Sequence, residues 1–200
     1  MLPDWVSPWW QATLIPAQWD VCGVVVPPLS VWHTFALENV GNRYLCGGVP
    51  TMDDAASLLL FAARDMAHGQ RLMLGDHYRS RAVYRLYRRL RKLEFADVDT
   101  ACREYVTETM RVPRRWEKTS EGGGRCAVPY QVHLVRVLCH DYGLALNAAW
   151  NSGFAWARMH YDAAAEANGD TSIMRPEHEA LDDEMYVKQQ AELATAAGMN

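Results

Sequence analysis

Seven histidines and five cysteines are the residues of this 200-residue chain best suited to hold a metal or attack a substrate, so their spacing is the first question. No C-x-x-C or H-x-x-x-H pair occurs, and such close spacing is what zinc sites use. His133 and His140 fall on one helical face. Seven residues of helix rise about 10.5 Å, too far for one ion whose ligands sit about 2 Å away. Cys139 and His140 are adjacent and point roughly 100° apart. A nucleophilic thiol needs a histidine beside it in space, whereas Cys139 sits among Leu134, Val135 and Leu138, the setting of an inert core thiol. Glu177, Glu179, Asp182, Asp183 and Glu184 offer carboxylates for acid–base work. Nothing apolar surrounds them to raise a pKa, so they read as a solvated face. The phosphate-cradling G-x-x-x-x-G-K-S/T loop, a G-x-G-x-x-G after a strand and the G-x-S-x-G elbow are all missing. Gly122-Gly123-Gly124-Arg125 has no preceding strand and no following Lys-Ser/Thr, and reads as a flexible link. The expectation is a chain without catalytic residues, metal or cofactor: not an enzyme.

Charge and aromatic content carry the remaining signal. Twelve of the twenty Lys and Arg lie between Arg79 and Lys118, while residues 162–192 hold nine acids against two bases. Arg81, Arg85, Arg88 and Lys92 recur at i, i+4, i+7 and i+11, one continuous basic stripe on a helix, with Arg79, Arg89 and Arg91 on its flanks. Two accounts fit. The acidic end neutralises the basic helix, within the fold or between copies of a homo-oligomer, or the stripe docks an acidic partner. Five of eight Trp (Trp5, Trp9, Trp10, Trp19 and Trp32) fall within the first 32 residues. They either pin an N-terminal arm across the chain's own body or form a protein-binding surface. The expected partner-binding set is Arg81, Arg85, Arg88 and Lys92 with Trp5, Trp9, Trp10 and Trp19. Few Asn or Gln accompany the stripe and no helix-turn-helix context surrounds it, which favours protein over nucleic acid.

The elements that must position these residues are mostly helical. Half the residues are apolar and 22% are charged, with a net charge of −4, which excludes a disordered chain and a globally basic nucleic-acid binder. The longest apolar runs, 58–63 and 24–29, fall far short of a bilayer span. No secretory signal is expected, and the odd, scattered cysteines fit a reducing compartment, the cytoplasm. Pro3, Pro8, Pro16, Pro27 and Pro28 deny a long helix to residues 1–29, which are expected to form an irregular Trp- and Pro-rich arm. Val21–Val26 suits a strand but has no visible partner. Ser30 suits the N-cap of a helix to about Val40, ended by Gly41. Thr51-Met52-Asp53-Asp54 starts a helix over about 52–67, stopped by His68-Gly69.

The basic helix covers about 77–94, with Val83, Leu86, Tyr87, Leu90 and Leu93 as its apolar stripe. A helix over about 98–110, capped by Asp97, closes a helical subdomain at 30–110. Residues 111–128 form a linker. Within the C-terminal helical subdomain, 129–200, Pro129 opens a helix to about Asp141 and Leu144–Trp150 make a short one. Ser152 caps another over about 153–167, ended by Asn168-Gly169, and Ala191–Ala197 suit a peripheral helix. The fold class is mainly α, an irregular arm followed by a compact helical bundle. Its expected core is Leu58, Leu59, Leu60, Phe61, Leu86, Leu90, Leu134, Leu138, Phe154 and Trp156.

The segment Pro129-Tyr130-Gln131 through Leu138-Cys139-His140-Asp141-Tyr142-Gly143, a short helix, and a helix running into Asp162-Ala163-Ala164-Ala165-Glu166-Ala167-Asn168-Gly169-Asp170 resembles small α-helical proteins of bacteriophage tail gene clusters. Tail assembly chaperones have this style. Pro28-Leu29-Ser30 to Gly47, with Pro50-Thr51 and the helix ending in Ala63-Arg64, is similar to tail-module proteins of that kind. The resemblance spans about half the chain and brings no catalytic residues. It implies a non-enzymatic tail assembly factor in the host cytoplasm that binds the tape measure and major tail protein before the tube polymerises. The alternative is a structural subunit of the virion, in tail, neck or capsid, that contacts neighbouring subunits. A third, weaker reading is a nucleic-acid-binding regulator using the basic stripe.

Overall fold

The fold is mainly α. The computed structural model describes residues 16–74, 81–112, 128–169, 178 and 181–189. A β-hairpin, β1 (Trp19–Val21) and β2 (Val24–Val26), opens the described chain. Helices α1 (Val31–Asn39), α2 (Arg43–Cys46), α3 (Met52–Ala62), α4 (Met66–Leu74), α5 (Arg81–Leu90) and α6 (Phe95–Met110) follow. Then come α7 (Tyr130–His140), α8 (Leu146–Asn151) and α9 (Phe154–Ala167), and a helix over 181–189. Among the described residues no helix is long and apolar enough to cross a membrane.

The hairpin corrects two expectations. The Val21–Val26 segment is not one unpartnered strand but two short ones paired antiparallel, Trp19 opposite Val26 and Val21 opposite Val24. The end of the supposed arm therefore has regular structure. Cys22 and Gly23 make the two-residue turn, both at positive φ (54° and 75°), which lets the turn follow the strands' right-handed twist. The Asp20 carboxylate fixes it by accepting from the Gly23 N–H at 2.6 Å. Val21 and Val26 then face inward, fully buried.

Helix starts follow side-chain capping where the sequence offers it. At α1 the Ser30 hydroxyl accepts from the His33 N–H and His33 Nδ1 accepts from the Ser30 N–H, a reciprocal capping box. Thr51 and Asp54 form the same device at α3. Helix α3 ends at Ala62, earlier than expected, because Asp65 starts a new helix. Its carboxylate accepts from the His68 N–H and its carbonyl from the Gly69 N–H. Gly69 thus lies inside α4 and ends nothing. A Cβ there would stand 2.5 Å from Trp32 Nε1, so the missing side chain is what lets α4 approach α1. Helix α6 begins at Phe95, with Glu94 rather than Asp97 at the cap position and no side-chain cap. Ser152 does not cap α9. Its hydroxyl donates back to the Ala148 carbonyl, and Gly153 takes the cap position.

Two apolar clusters hold these elements. The first joins the hairpin, α1, α3, α5 and α6 around Leu37, Leu58, Leu59, Phe61, Leu90 and Tyr105. The second joins α7, α8 and α9 to Val31 around Leu134, Leu138 and Phe154. Helix α3 lies at the centre as its sequence demands, with Leu58, Leu59, Leu60 and Phe61 all buried. Leu86 and Trp156, expected in the core, are only partly buried at its margin. Helix α1 serves both clusters. The two halves are also stitched by backbone: Val31 N–H donates to the Ser152 carbonyl at 3.0 Å and Phe154 N–H to the Leu29 carbonyl at 2.8 Å. Most of the 111–128 linker and the Ala191–Ala197 segment lie outside the described residues.

Candidate partner-binding face

Leu90 is fully buried and Leu86 and Tyr87 pack against the first cluster, which fixes α5 by one side against α3. The opposite side is thereby turned to solvent. It carries Tyr84, Arg85 and Arg88, continued by Arg91 and Lys92 in the turn after Leu90, and all five are exposed. The helical turn is held by Arg91 N–H donating to the Tyr87 carbonyl and Leu93 N–H to the Leu90 carbonyl, so the last two cations stay in line with the stripe. Tyr84 is 63% exposed, far beyond what an amphipathic helix needs for its own packing. The Arg88 guanidinium lies 5.9 Å from the Tyr84 ring centre, and that of Arg91 lies 5.4 Å from the Tyr87 ring. Both are within cation–π reach. None of Arg85, Arg88, Arg91 and Lys92 is ion-paired among the described residues. A partner would meet a row of cations around one exposed aromatic.

The expected site residues divide as follows. Arg85, Arg88 and Lys92 are brought together as read from the spacing. Arg81 opens α5, with its side chain outside the described set. Arg89 leaves the face: its guanidinium lies over Gly23 in the hairpin turn. Trp19 is partly buried and meets Tyr105 edge-on, ring centres 6.1 Å apart, so it anchors the hairpin to α6 in its own chain. The Tyr105 hydroxyl completes that anchor by donating to the Pro27 carbonyl at 2.6 Å. Trp5, Trp9 and Trp10 lie outside the described residues. Tyr84 was not among the expected binding residues, although its position between Arg81 and Arg85 places it on the same face.

Of the groups with chemical potential, His33 and Cys102 are buried and Tyr44 is partly buried. His33 is buried, with Nδ1 accepting from the Ser30 N–H and Nε2 donating to the Arg64 carbonyl at 2.5 Å. Both nitrogens are thus engaged by the neutral ring, and burial holds its pKa below the ordinary imidazole value. Burial pushes the Cys102 thiol up to about 12, with nearby Cys22 adding to it, so it is not a ready nucleophile. Burial likewise raises the phenol of Tyr44. His133 and His140, with Arg136, Asp141, Val137 and Tyr161, line an open groove of about 310 Å3. His140 Nδ1 meets the Asp141 carboxylate there at 2.6 Å. Among the described residues no group of three His, Cys, Asp or Glu could hold a metal ion. No protein-family model, curated protein or solved structure matches the chain.

Proposed function

We propose that the chain is a non-enzymatic binding protein of phage tail assembly that holds an acidic segment of a tail protein, the tape measure or the major tail protein, on the Tyr84–Lys92 face. The observation that supports this most is the row Arg85, Arg88, Arg91 and Lys92, none of them ion-paired among the described residues, set around an exposed tyrosine. Cations attract an acidic partner over distance, and a desolvated aromatic supplies the kind of anchor that dominates an interface. A transient assembly factor works in the host cytoplasm and is absent from the finished particle.

The test uses the full chain immobilised against purified tape measure and major tail proteins. Arg85→Glu/Arg88→Glu is expected to lower the association rate at least tenfold and to flatten its salt dependence. Tyr84→Ala is expected to raise the dissociation rate instead. Binding that ignores both substitutions, or no binding to either protein, overturns the reading. Abundance of the chain in purified particles by mass spectrometry would make it a structural subunit. Steeply salt-dependent DNA binding would make it a nucleic-acid regulator.

A further inference from the structure

The joint between the two apolar clusters is held through one buried imidazole. The Leu29 carbonyl accepts from the Phe154 N–H at 2.8 Å, and the Val31 N–H donates to the Ser152 carbonyl at 3.0 Å. Between these two bonds the Ser30 N–H donates to His33 Nδ1 at 3.0 Å. The other ring nitrogen, Nε2, donates to the Arg64 carbonyl. Two residues on, the Met66 N–H donates to the Asn151 side-chain oxygen at 2.9 Å. The two nitrogens of one ring thus hold both segments to which residues 146–154 are tied. That corner, α8 and the turn after it, has no ionisable side chain of its own. It sets Trp150 against Trp32 and Phe35, ring centres 6.4 and 5.4 Å away.

His33 is 3% exposed, and the arrangement suits the neutral ring with its proton on Nε2. An imidazolium would set a second N–H against the Ser30 N–H and leave a charge out of reach of water. Burial acts against the imidazolium more strongly than the Arg64 carbonyl and the Asp65 carboxylate act for it. Asp65 is already bonded to His68, and the Arg64 guanidinium turns back to the Leu60 carbonyl at 3.3 Å. Helix α1 adds Glu38, five residues along, while α7 and α9 bring His133, Arg136 and the Arg158–Asp162 pair. None of these side chains is bonded to the His33 ring.

We infer that protonation of His33 releases residues 146–154 from the N-terminal half, so that the joint between the two clusters opens in acid while α3 and its neighbours stay folded. Opening separates Trp150 from Trp32 and Phe35 and uncovers the apolar surface they share. The sign follows from the lowered value of the folded ring. The closed joint is fully favoured above the ordinary imidazole value of about 6.5 and loses a factor of about ten for each pH unit below it. The α5 face has no part in the joint, and tail-protein binding reports on that face separately.

The experiment is amide hydrogen exchange by NMR on the full-length chain between pH 7 and pH 5, read as protection factors so that the intrinsic pH dependence of exchange drops out. The Val31, Met66 and Phe154 amides are expected to lose protection about thirtyfold over this range. At pH 5 they are expected to be at least about tenfold less protected than Leu59 and Phe61 in α3. His33→Gln is expected to make their protection level with pH. His160→Gln, which removes the other imidazole lowered by burial, is expected to keep the wild-type loss. Joint amides as well protected as those of α3 at pH 5 overturn the inference, since the chain then opens only as a whole. So does a wild-type protection that is level with pH, a loss that persists in His33→Gln, or one that vanishes in His160→Gln. The wild-type and His160→Gln measurements decide the outcome even where His33→Gln does not fold.

Discussion

Gly69→Ala sets two effects of opposite sign against each other at one position. Inside a helix, alanine is favoured over glycine by about 1 kcal/mol, so at an exposed site on α4 the substitution would stabilise. Gly69 is buried instead, and the new methyl would stand 2.5 Å from Trp32 Nε1 and 3.2 Å from Trp32 Cε2. The indole cannot simply move away. It is 5% exposed and flanked by Phe35 and Trp150, with ring centres 6.1 and 6.4 Å distant. Forcing a methyl into such a site costs about 2–3 kcal/mol, the upper part of the usual range, before the propensity gain is subtracted. The expected result is a net loss of about 1–2 kcal/mol, read by urea unfolding followed in far-ultraviolet circular dichroism. The control is the same substitution in a Trp32→Leu background, where the obstructing ring is gone. There Gly69→Ala should stabilise by about 1 kcal/mol, and the cycle should yield a coupling of about 2–3 kcal/mol. A wild-type background in which Gly69→Ala raises stability would refute the argument that glycine permits the α1–α4 approach.

Leu59→Ala, at a fully buried site on the central helix, should cost about 2–5 kcal/mol, and a measured loss under about 0.5 kcal/mol would show that α3 is not the middle of the core. Ser30→Ala removes the oxygen that receives the His33 N–H and should cost about 1 kcal/mol in the same assay. His33 has a folded pKa below its unfolded value, so the unfolded chain binds more protons as pH falls below about 6.5, and stability is expected to be level above that pH and to decline below it. His160, also lowered by burial, adds to the decline. The slope is at most about 1.4 kcal/mol per pH unit for each group, and His33→Gln should remove the His33 share in pH-dependent urea titrations. Tyr84→Ala should change stability by no more than about 0.5 kcal/mol, because an exposed docking tyrosine holds nothing in its own fold; a larger loss on urea unfolding would count it as packing.

Periodicity and capping chemistry were the most readable features. Ser30, Thr51, Gly41 and the α5 stripe could be placed because each works through residues three to seven positions away. What escaped the sequence depends on distant partners. The Cys22-Gly23 turn carries no Asn-Gly or Asp-Gly signal, and its strands settle against α6 through the Trp19–Tyr105 contact, 86 positions apart. Trp19 therefore belongs to the chain's own packing, a choice that no local pattern decides. The break at Ala63–Asp65 was written in Asp65, a capping residue three positions before His68, but a strong apolar run masked it. Gly69 misled for a related reason. Glycine ends helices when it must adopt positive φ, and here it serves close approach instead. Of the candidate site, Arg85, Arg88 and Lys92 were legible as a row. The exposure of Tyr84 became visible only once α3 showed which side of α5 it covers.

The backbone stitch between Leu29–Val31 and Ser152–Phe154 bears on the order in which the chain folds. It joins positions 123 residues apart, Ser30 and Gly153. Bringing such distant points together in an open chain costs about 4 kcal/mol of closure entropy, so the stitch is a late event, as is the seating of the hairpin on α6 through Trp19 and Tyr105. Until it forms, the Val31 N–H at the very start of α1 lacks its Ser152 acceptor. The helix that serves both clusters is thus completed by a segment synthesised long after it. Folding should accordingly be slower than its helical content suggests, with the closing of the N-terminal half awaiting the synthesis of α8 and α9.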